Sequence, residues 1–205
     1  GVMITPSHNP KEYNGYKAYW DDGAQVVAPH DTNIIKEVQK ITSFDQVNWN
    51  KNDSLFSYIE EDFDAIYLEK VKALSLAPEE IQQQKDLPIV FSPIHGASGK
   101  MVPAAIRAFG FENIHVVKEQ AEPDGTFPTV VYPNPEEAEA LTLSVKLGKE
   151  VGAELILACD PDGDRYAAAV PNESGEFELL NGNQTGSLLT YYLLSRWKEA
   201  GKLDG

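Results

Sequence analysis

The rhythm of apolar and polar positions changes near residue 88, and it divides the chain into two kinds of segment. Downstream, short apolar runs alternate with stretches of helical period. Ile89, Val90 and Phe91 form a continuous apolar run of strand length, followed by a loop at 95–99 and a helix over 101–109 that Gly110 stops. A second strand is expected at 113–117, then a helix over 136–151 with an acidic first turn, then a third strand at 154–158. This β-α-β-α-β pattern predicts a layered α/β domain whose ligand loops lie at the C-terminal ends of its strands. Beyond Pro171 come turn residues at 172–175, a Gly-Asn-Gln step at 182–184 and an amphipathic helix over about 185–197.

Upstream, residues 1–53 read as loop and strand material followed by one helix. A strand at 16–20 ends in the turn residues Asp21, Asp22 and Gly23, and Asp31 is placed to cap a helix running to about Thr42. A polar linker covers 48–54. After it, Ile59, Phe63, Ile66, Tyr67, Val71 and Leu74 recur at helical spacing, with Pro78 beyond the end.

Composition narrows the class. Over 205 residues, 42% are hydrophobic, enough for a core, and the formal net charge is -15. That balance argues against a nucleic-acid backbone or an anionic membrane as partner, but not against a phosphorylated small molecule, because local cations set the field in a site. A single cysteine, Cys159, excludes an internal disulfide and fits a reducing compartment. No apolar run reaches membrane-spanning length, and a cytoplasmic protein is expected.

The chemistry concentrates in two places. Asp160, Asp162 and Asp164 alternate over five residues directly after the third strand, with Pro161 and Gly163 between them supplying a stiff bend and a permissive dihedral. Most acidic turns are merely solvated, but this one can gather three oxygens on a hard cation and leave coordination positions open. A calcium loop of the EF-hand kind would need Gly and Glu where Arg165 and Pro171 stand. An all-oxygen set favours magnesium or manganese over zinc. Arg165 is either the carboxylates' ion-pair partner or a bidentate phosphate ligand. Far upstream, Ser7 sits between Pro6 and Pro10 beside His8 and Asn9. Alone it reads as turn chemistry, since no Gly-x-Ser-x-Gly elbow surrounds it. Residues 96–100, Gly-Ala-Ser-Gly-Lys, have too few residues between the glycines for a Walker loop, and Met101 stands where Ser or Thr is needed. Packing is the expected reason for that turn. His30, His95 and His115 lack metal-ligand spacing, and Cys159 reads as a small core residue.

Taken together, these residues resemble the phosphohexomutase family of phosphoglucomutases, phosphomannomutases and their relatives. Residues 1–10 with 14–17 resemble the active-serine loop, and residues 160–165 the magnesium loop. Residues 122–128 with 133–136 are similar to the stretch before the second domain's last helix, and residues 182–184 to the opening of the third domain. Pro6 and Cys159 stand where the family commonly has a small residue and Asn. The wording of residues 13–31 looks most like the phosphopentomutase and sugar-bisphosphate-forming branch.

The resemblance implies a three-layer α/β/α domain with a mostly parallel mixed sheet, flanked by partial α/β domains. Residues 1–53 would end the first domain, 54–171 form the second and 172–205 begin the third. It implies an intramolecular phosphotransferase that moves a phosphoryl group between C1 and C6 (or C5) hydroxyls through a phosphoserine and a sugar bisphosphate. Ser7 would carry the phosphoryl group and, with Asp160, Asp162 and Asp164, hold Mg2+. Lys17, which alone reads as a surface lysine, would be the general acid/base. Arg165 would stabilise transferring charge, and His8 and Asn9 would position the loop or substrate. Hexose or pentose phosphates and a sugar bisphosphate are the implied partners of the full-length enzyme.

The stretch as given looks like a fragment that should not turn over substrate alone. With the strands that should precede Ser7 missing, the Ser7 loop is expected to be displaced from the three carboxylates or mobile, and the chain to self-associate. Two rivals stand beside this reading. One is an Asp-x-Asp phosphatase with Asp160 as nucleophile; the other is a non-catalytic metal-binding module.

Overall fold

The computed structural model describes residues 1–50, 52–59 and 61–203, and it divides into two compact units. The first comprises Gly1–Pro6 and Asn14–Glu61. Here β1 (Val2–Ile4) pairs antiparallel with β2 (Tyr16–Ala18), Met3 opposite Lys17. The expected strand at 16–20 is shorter because Tyr19 makes only an isolated bridge to Gln25 around the 21–23 turn. Helix α1 (His30–Val38) starts one residue before Asp31 and ends short of Thr42, so Asp31 lies in the first turn and Pro29 takes the cap position. Little in this unit is buried. Among its described residues only Thr5 is, while Tyr16, Trp20 and Ile35 are exposed.

The second unit comprises Ser7–Tyr13 and the chain from Asp62 onward. Helix α2 (Glu61–Lys72) forms where the apolar spacing predicted it, yet Phe63, Ile66 and Tyr67 are all exposed. Pro78 does not merely follow this helix. It opens a short one, α3 (Pro78–Gln83), at the N-terminal position where proline's missing N–H costs nothing.

Next come β3 (Ile89–Ser92), α4 (Ser98–Phe109) and β4 (Ile114–Val116), then α5 (Thr142–Val151) and β5 (Leu155–Cys159). The sheet runs on through β6 (Tyr166–Pro171) and β7 (Phe177–Leu180), and α6 (Gly182–Glu199) follows. The strand order is β4-β3-β5-β6-β7, with β3 parallel to both neighbours and β6 and β7 antiparallel. The path steps outward from β3 to β4 and back across to β5. Right-handed crossovers then place α4 and α5 on opposite faces, which makes three layers.

The core lies between α5 and the sheet. Val90, Val117, Ile156 and Ala169 are buried there against Val145, Leu147 and Phe177. Gly148 lets α5 approach closely, since a Cβ on it would lie 3.0 Å from the Phe177 ring and 3.1 Å from Ile156. A second cluster joins Ile94, Ala140, Leu141 and Ala158.

Three features differ from the sequence reading. Residues 136–141 are not helical; successive turns, Glu137 N–H to Asn134 O at 3.0 Å and Ala140 N–H to Glu137 O at 3.0 Å, occupy them instead. Helix α5 therefore has no acidic first turn. Helix α4 starts three residues earlier than expected, taking in Ser98 and Gly99. Strands β6 and β7 are additions to the pattern read from the sequence; in β6, Ala167, Ala168 and Ala169 carry little strand preference of their own and are buried by tertiary packing. No helix among the described residues is long and apolar enough to cross a membrane.

Candidate metal centre and serine loop

Strand β5 carries the acidic loop. Its last residue, Cys159, is buried as expected of a small core residue, and Asp160 directly after it is 0% exposed. The loop closes on Asp160 twice. Gly163, in the left-handed region at φ +76°, donates its N–H to the Asp160 carbonyl at 3.0 Å, and the Arg165 N–H donates to Asp160 Oδ1 at 3.0 Å. One oxygen each from Asp160, Asp162 and Asp164 lies within 4.8 Å of the others. The three carboxylates expected to converge do so, and they can hold a metal ion.

The serine loop belongs to the same unit. Ser7 adopts φ +56°, uncommon for a residue with a side chain, and its hydroxyl donates to Asp160 Oδ2 at 2.7 Å. Its oxygen also lies 3.2 Å from His8 Nδ1. The expected displacement of this loop is therefore not observed. The hydrogen bond to Asp160 holds Ser7 at the acidic loop, and residues 7–13 belong to the same unit as that loop.

Both donors to Asp160 are neutral groups. Burial, aided by the neighbouring Asp162 carboxylate, holds the Asp160 carboxyl above the usual carboxylate range, although the Ser7 hydroxyl and the Arg165 amide oppose the rise. A buried carboxylate beside two others, with no cationic hydrogen-bond donor among the described residues, suits a bound cation. The donors, three carboxylates and a hydroxyl, are hard oxygens that fit a divalent ion.

The remaining predicted residues lie on either side of the acidic loop in the chain. The Arg165 side chain is exposed and makes no ion pair among the described residues, so its contact with the loop is through its backbone. Asn9 is exposed. Lys17 lies in β2 of the first unit, opposite Met3. Sequence reasoning gave His95 no function and the Gly96 turn only packing. In the structure Ala97 N–H donates to the Pro161 carbonyl at 2.8 Å, which ties that turn to the acidic loop. Nothing in residues 94–97 but the Gly at 96 hinted at it.

With this geometry established, comparison with known proteins is decisive at the level of family. The model described as phosphoglucomutase/phosphomannomutase, alpha/beta/alpha domain II matches residues 65–175, more than half the chain. The chain belongs to the phosphoglucomutase/phosphomannomutase family. The corresponding domain I model matches residues 1–45. Human phosphopentomutase is 39% identical over 204 residues, covering 97% of this chain and 33% of that protein. Human glucose 1,6-bisphosphate synthase is 38% identical over 204 residues, again 97% of this chain and 33% of that one. The chain thus spans about a third of the length of these relatives. A solved family protein from Burkholderia thailandensis aligns with a TM-score of 0.67 at 24% identity, covering 95% of this chain and 38% of that one, which shows the shared fold.

Proposed function

We propose that this chain carries the phosphoryl-transfer centre of a magnesium-dependent sugar-phosphate mutase. The observation that carries the reading is the 2.7 Å contact between the Ser7 hydroxyl and Asp160 inside a cluster of three carboxylates. Within it, Asp160, Asp162, Asp164 and an oxygen on Ser7 would hold Mg2+. When bound, the cation offsets and polarises the negative charge of phosphoryl oxygens.

The residues act as follows. Ser7 carries a phosphoryl group, and a sugar hydroxyl attacks that phosphorus as the Ser7 Oγ–P bond breaks. The hydroxyl proton passes to Lys17, the general acid/base of this scheme. The resulting sugar bisphosphate reorients and returns its other phosphoryl group to Ser7, and Lys17 reprotonates the freed sugar oxygen. Arg165, exposed beside the loop, offers a fork for the transferring group. His8 and Asn9 orient the serine loop or the sugar. A phosphorylated Ser7 would bring about -1.5 to -2 further charge to a triply acidic cluster. A site built for that charge needs a cation between the two, which favours the metal-dependent reading over a bare acidic turn.

Hexose or pentose phosphates, with a sugar bisphosphate as the exchanged species, are the proposed substrates of the whole protein. Residues 1–53, 54–171 and 172–205 are proposed as parts of three successive domains. The phosphatase alternative is disfavoured because both Asp160 oxygens already accept hydrogen bonds and the carboxyl is fully buried.

Incubation of the whole protein with a sugar bisphosphate and Mg2+, followed by intact-mass and peptide analysis, tests the proposal. One phosphoryl group on Ser7, absent in Ser7→Ala, is expected. A phosphoryl group on Asp160 would replace the mutase reading with the phosphatase one, and no transfer to either residue would remove both.

A further inference from the structure

The acidic loop does not hold its shape alone. The turn between β3 and α4, residues 94–97, lies directly against it. A Cβ built on Gly96 would sit 2.6 Å from the Pro161 carbonyl oxygen, closer still to Pro161 Cα, and 2.8 Å from the Pro93 carbonyl oxygen. These are backbone atoms, so no side-chain rotation can relieve the clash. Ala97 N–H donates to the same Pro161 carbonyl at 2.8 Å. Pro161 stands between the two most buried carboxylates of the cluster, so the turn sets the height of the peptide from which they diverge.

The turn is itself under strain and strongly fastened. Ile94 and His95 have φ of +46° and +58°, and a β-branched residue in that region is a true outlier. Strain of this kind persists only where the surroundings over-determine it. Here they do. The Ile94 N–H donates to Ser92 Oγ at 3.1 Å, the His95 N–H to the Gln120 carbonyl at 2.9 Å, and the Asp124 N–H to the His95 carbonyl at 3.1 Å. The ring of His95 reaches Thr129 Oγ1 through Nε2 at 2.8 Å. Gln120 completes the brace, its Nε2 donating to Thr129 Oγ1 at 3.0 Å and its Oε1 accepting from Ser92 at 2.6 Å. Ser92 and Gln120 are 0% exposed and His95 is 5% exposed.

We propose that residues 94–97 are a positioning element for the metal loop. The Ser92–Gln120–Thr129–His95 network holds a strained turn in place so that side-chain-free Gly96 can seat Pro161, and through it Asp160 and Asp162, at the spacing a cation requires. This rests on the metal-site reading above for its purpose, but not for its test.

Amide hydrogen exchange on the whole chain reads loop position directly. In Gly96→Ala, exchange at Gly163 and Arg165, whose N–H groups both bond to Asp160, should quicken at least tenfold. Exchange at Val90 and Ile156 in the sheet should stay within twofold. Thr129→Val keeps the volume but removes the hydroxyl shared by His95 and Gln120, and it should give the same local effect at smaller size without a backbone clash. Mn2+ titration followed by electron paramagnetic resonance should show affinity falling at least tenfold in Gly96→Ala. Unchanged Gly163 and Arg165 amides in both variants would overturn the proposal. So would equal acceleration across the sheet, since that would make the turn ordinary packing. A wild-type chain that bound no Mn2+ would sink the metal reading, whereas the exchange pattern would still decide the positioning role.

Discussion

Replacing Asp160 by Asn should raise the stability of the metal-free protein and abolish its stabilisation by Mg2+, two effects of opposite sign from one atom's change. Asn keeps the shape. Its oxygen can still accept the Arg165 N–H, and its amide can donate to the Ser7 hydroxyl in place of the present Ser7-to-Asp160 bond. What disappears is a charge in a fully buried position. Two unit charges 4.8 Å apart, the outer limit of the cluster, repel by roughly 3.5 kcal/mol at an effective dielectric constant of about 20. Asp162 is only partly buried and Asp164 is exposed, so solvent screening leaves a net gain of roughly 1–3 kcal/mol. For a chain of this size each kcal/mol corresponds to roughly 2–4 °C, so the metal-free melting temperature should rise by at least about 2 °C. The wild type at Mg2+ a hundredfold above its Kd should gain about 2.7 kcal/mol, roughly 5–11 °C, and the variant should gain nothing measurable at the same concentration. Differential scanning calorimetry with and without Mg2+ reads both numbers. A variant that melts lower without metal, yet still shifts upward with Mg2+, would refute the assignment of Asp160 as a buried ligand.

The pH dependence follows from the same group. Its folded pKa is raised above the unfolded value, so the folded state holds the proton more tightly and metal-free stability falls as pH climbs from the unfolded carboxylate pKa through the folded one. Mg2+ competes with that proton, and its affinity by calorimetric titration should rise over the same window; a flat affinity there would contradict the raised carboxyl. Asp162→Asn should weaken Mg2+ binding at least tenfold while leaving the melting temperature of the metal-free chain unlowered, and equal affinity would remove the basis for the site. Ile156→Ala, at a 0% exposed position between α5 and the sheet, should cost about 2–5 kcal/mol in a denaturant melt. A loss under 1 kcal/mol would mean that this cluster is not the core.

How much of this was legible in the sequence depends on whether the deciding interaction is local. The three carboxylates were readable because alternate residues around a Pro and a Gly converge through their own backbone, and the strand before them announced itself by Leu155, Ile156 and Leu157. Helix α2 was legible for the same reason, since its spacing is a property of the segment; that its apolar face stays exposed was not, because burial depends on what else is near. β6 is hidden in the sequence since three consecutive alanines gain strand character from pairing on both sides, Ala167 opposite Ala158 in β5 and Ala168 opposite Leu180 in β7. The 134–142 turns replaced an expected helical start because Asn134 accepts the Glu136 and Glu137 N–H groups before a helix can. At the site the same division holds. Ser7 and Asp160 stand 153 positions apart and were joined beforehand only by resemblance; the hydrogen bond between them is a tertiary fact. The demand on Gly96 is more hidden still, since a glycine required by a neighbour's backbone looks, in one sequence, no different from a glycine required by its own turn. Only Pro161, 65 positions later and pressed against it, separates the two cases.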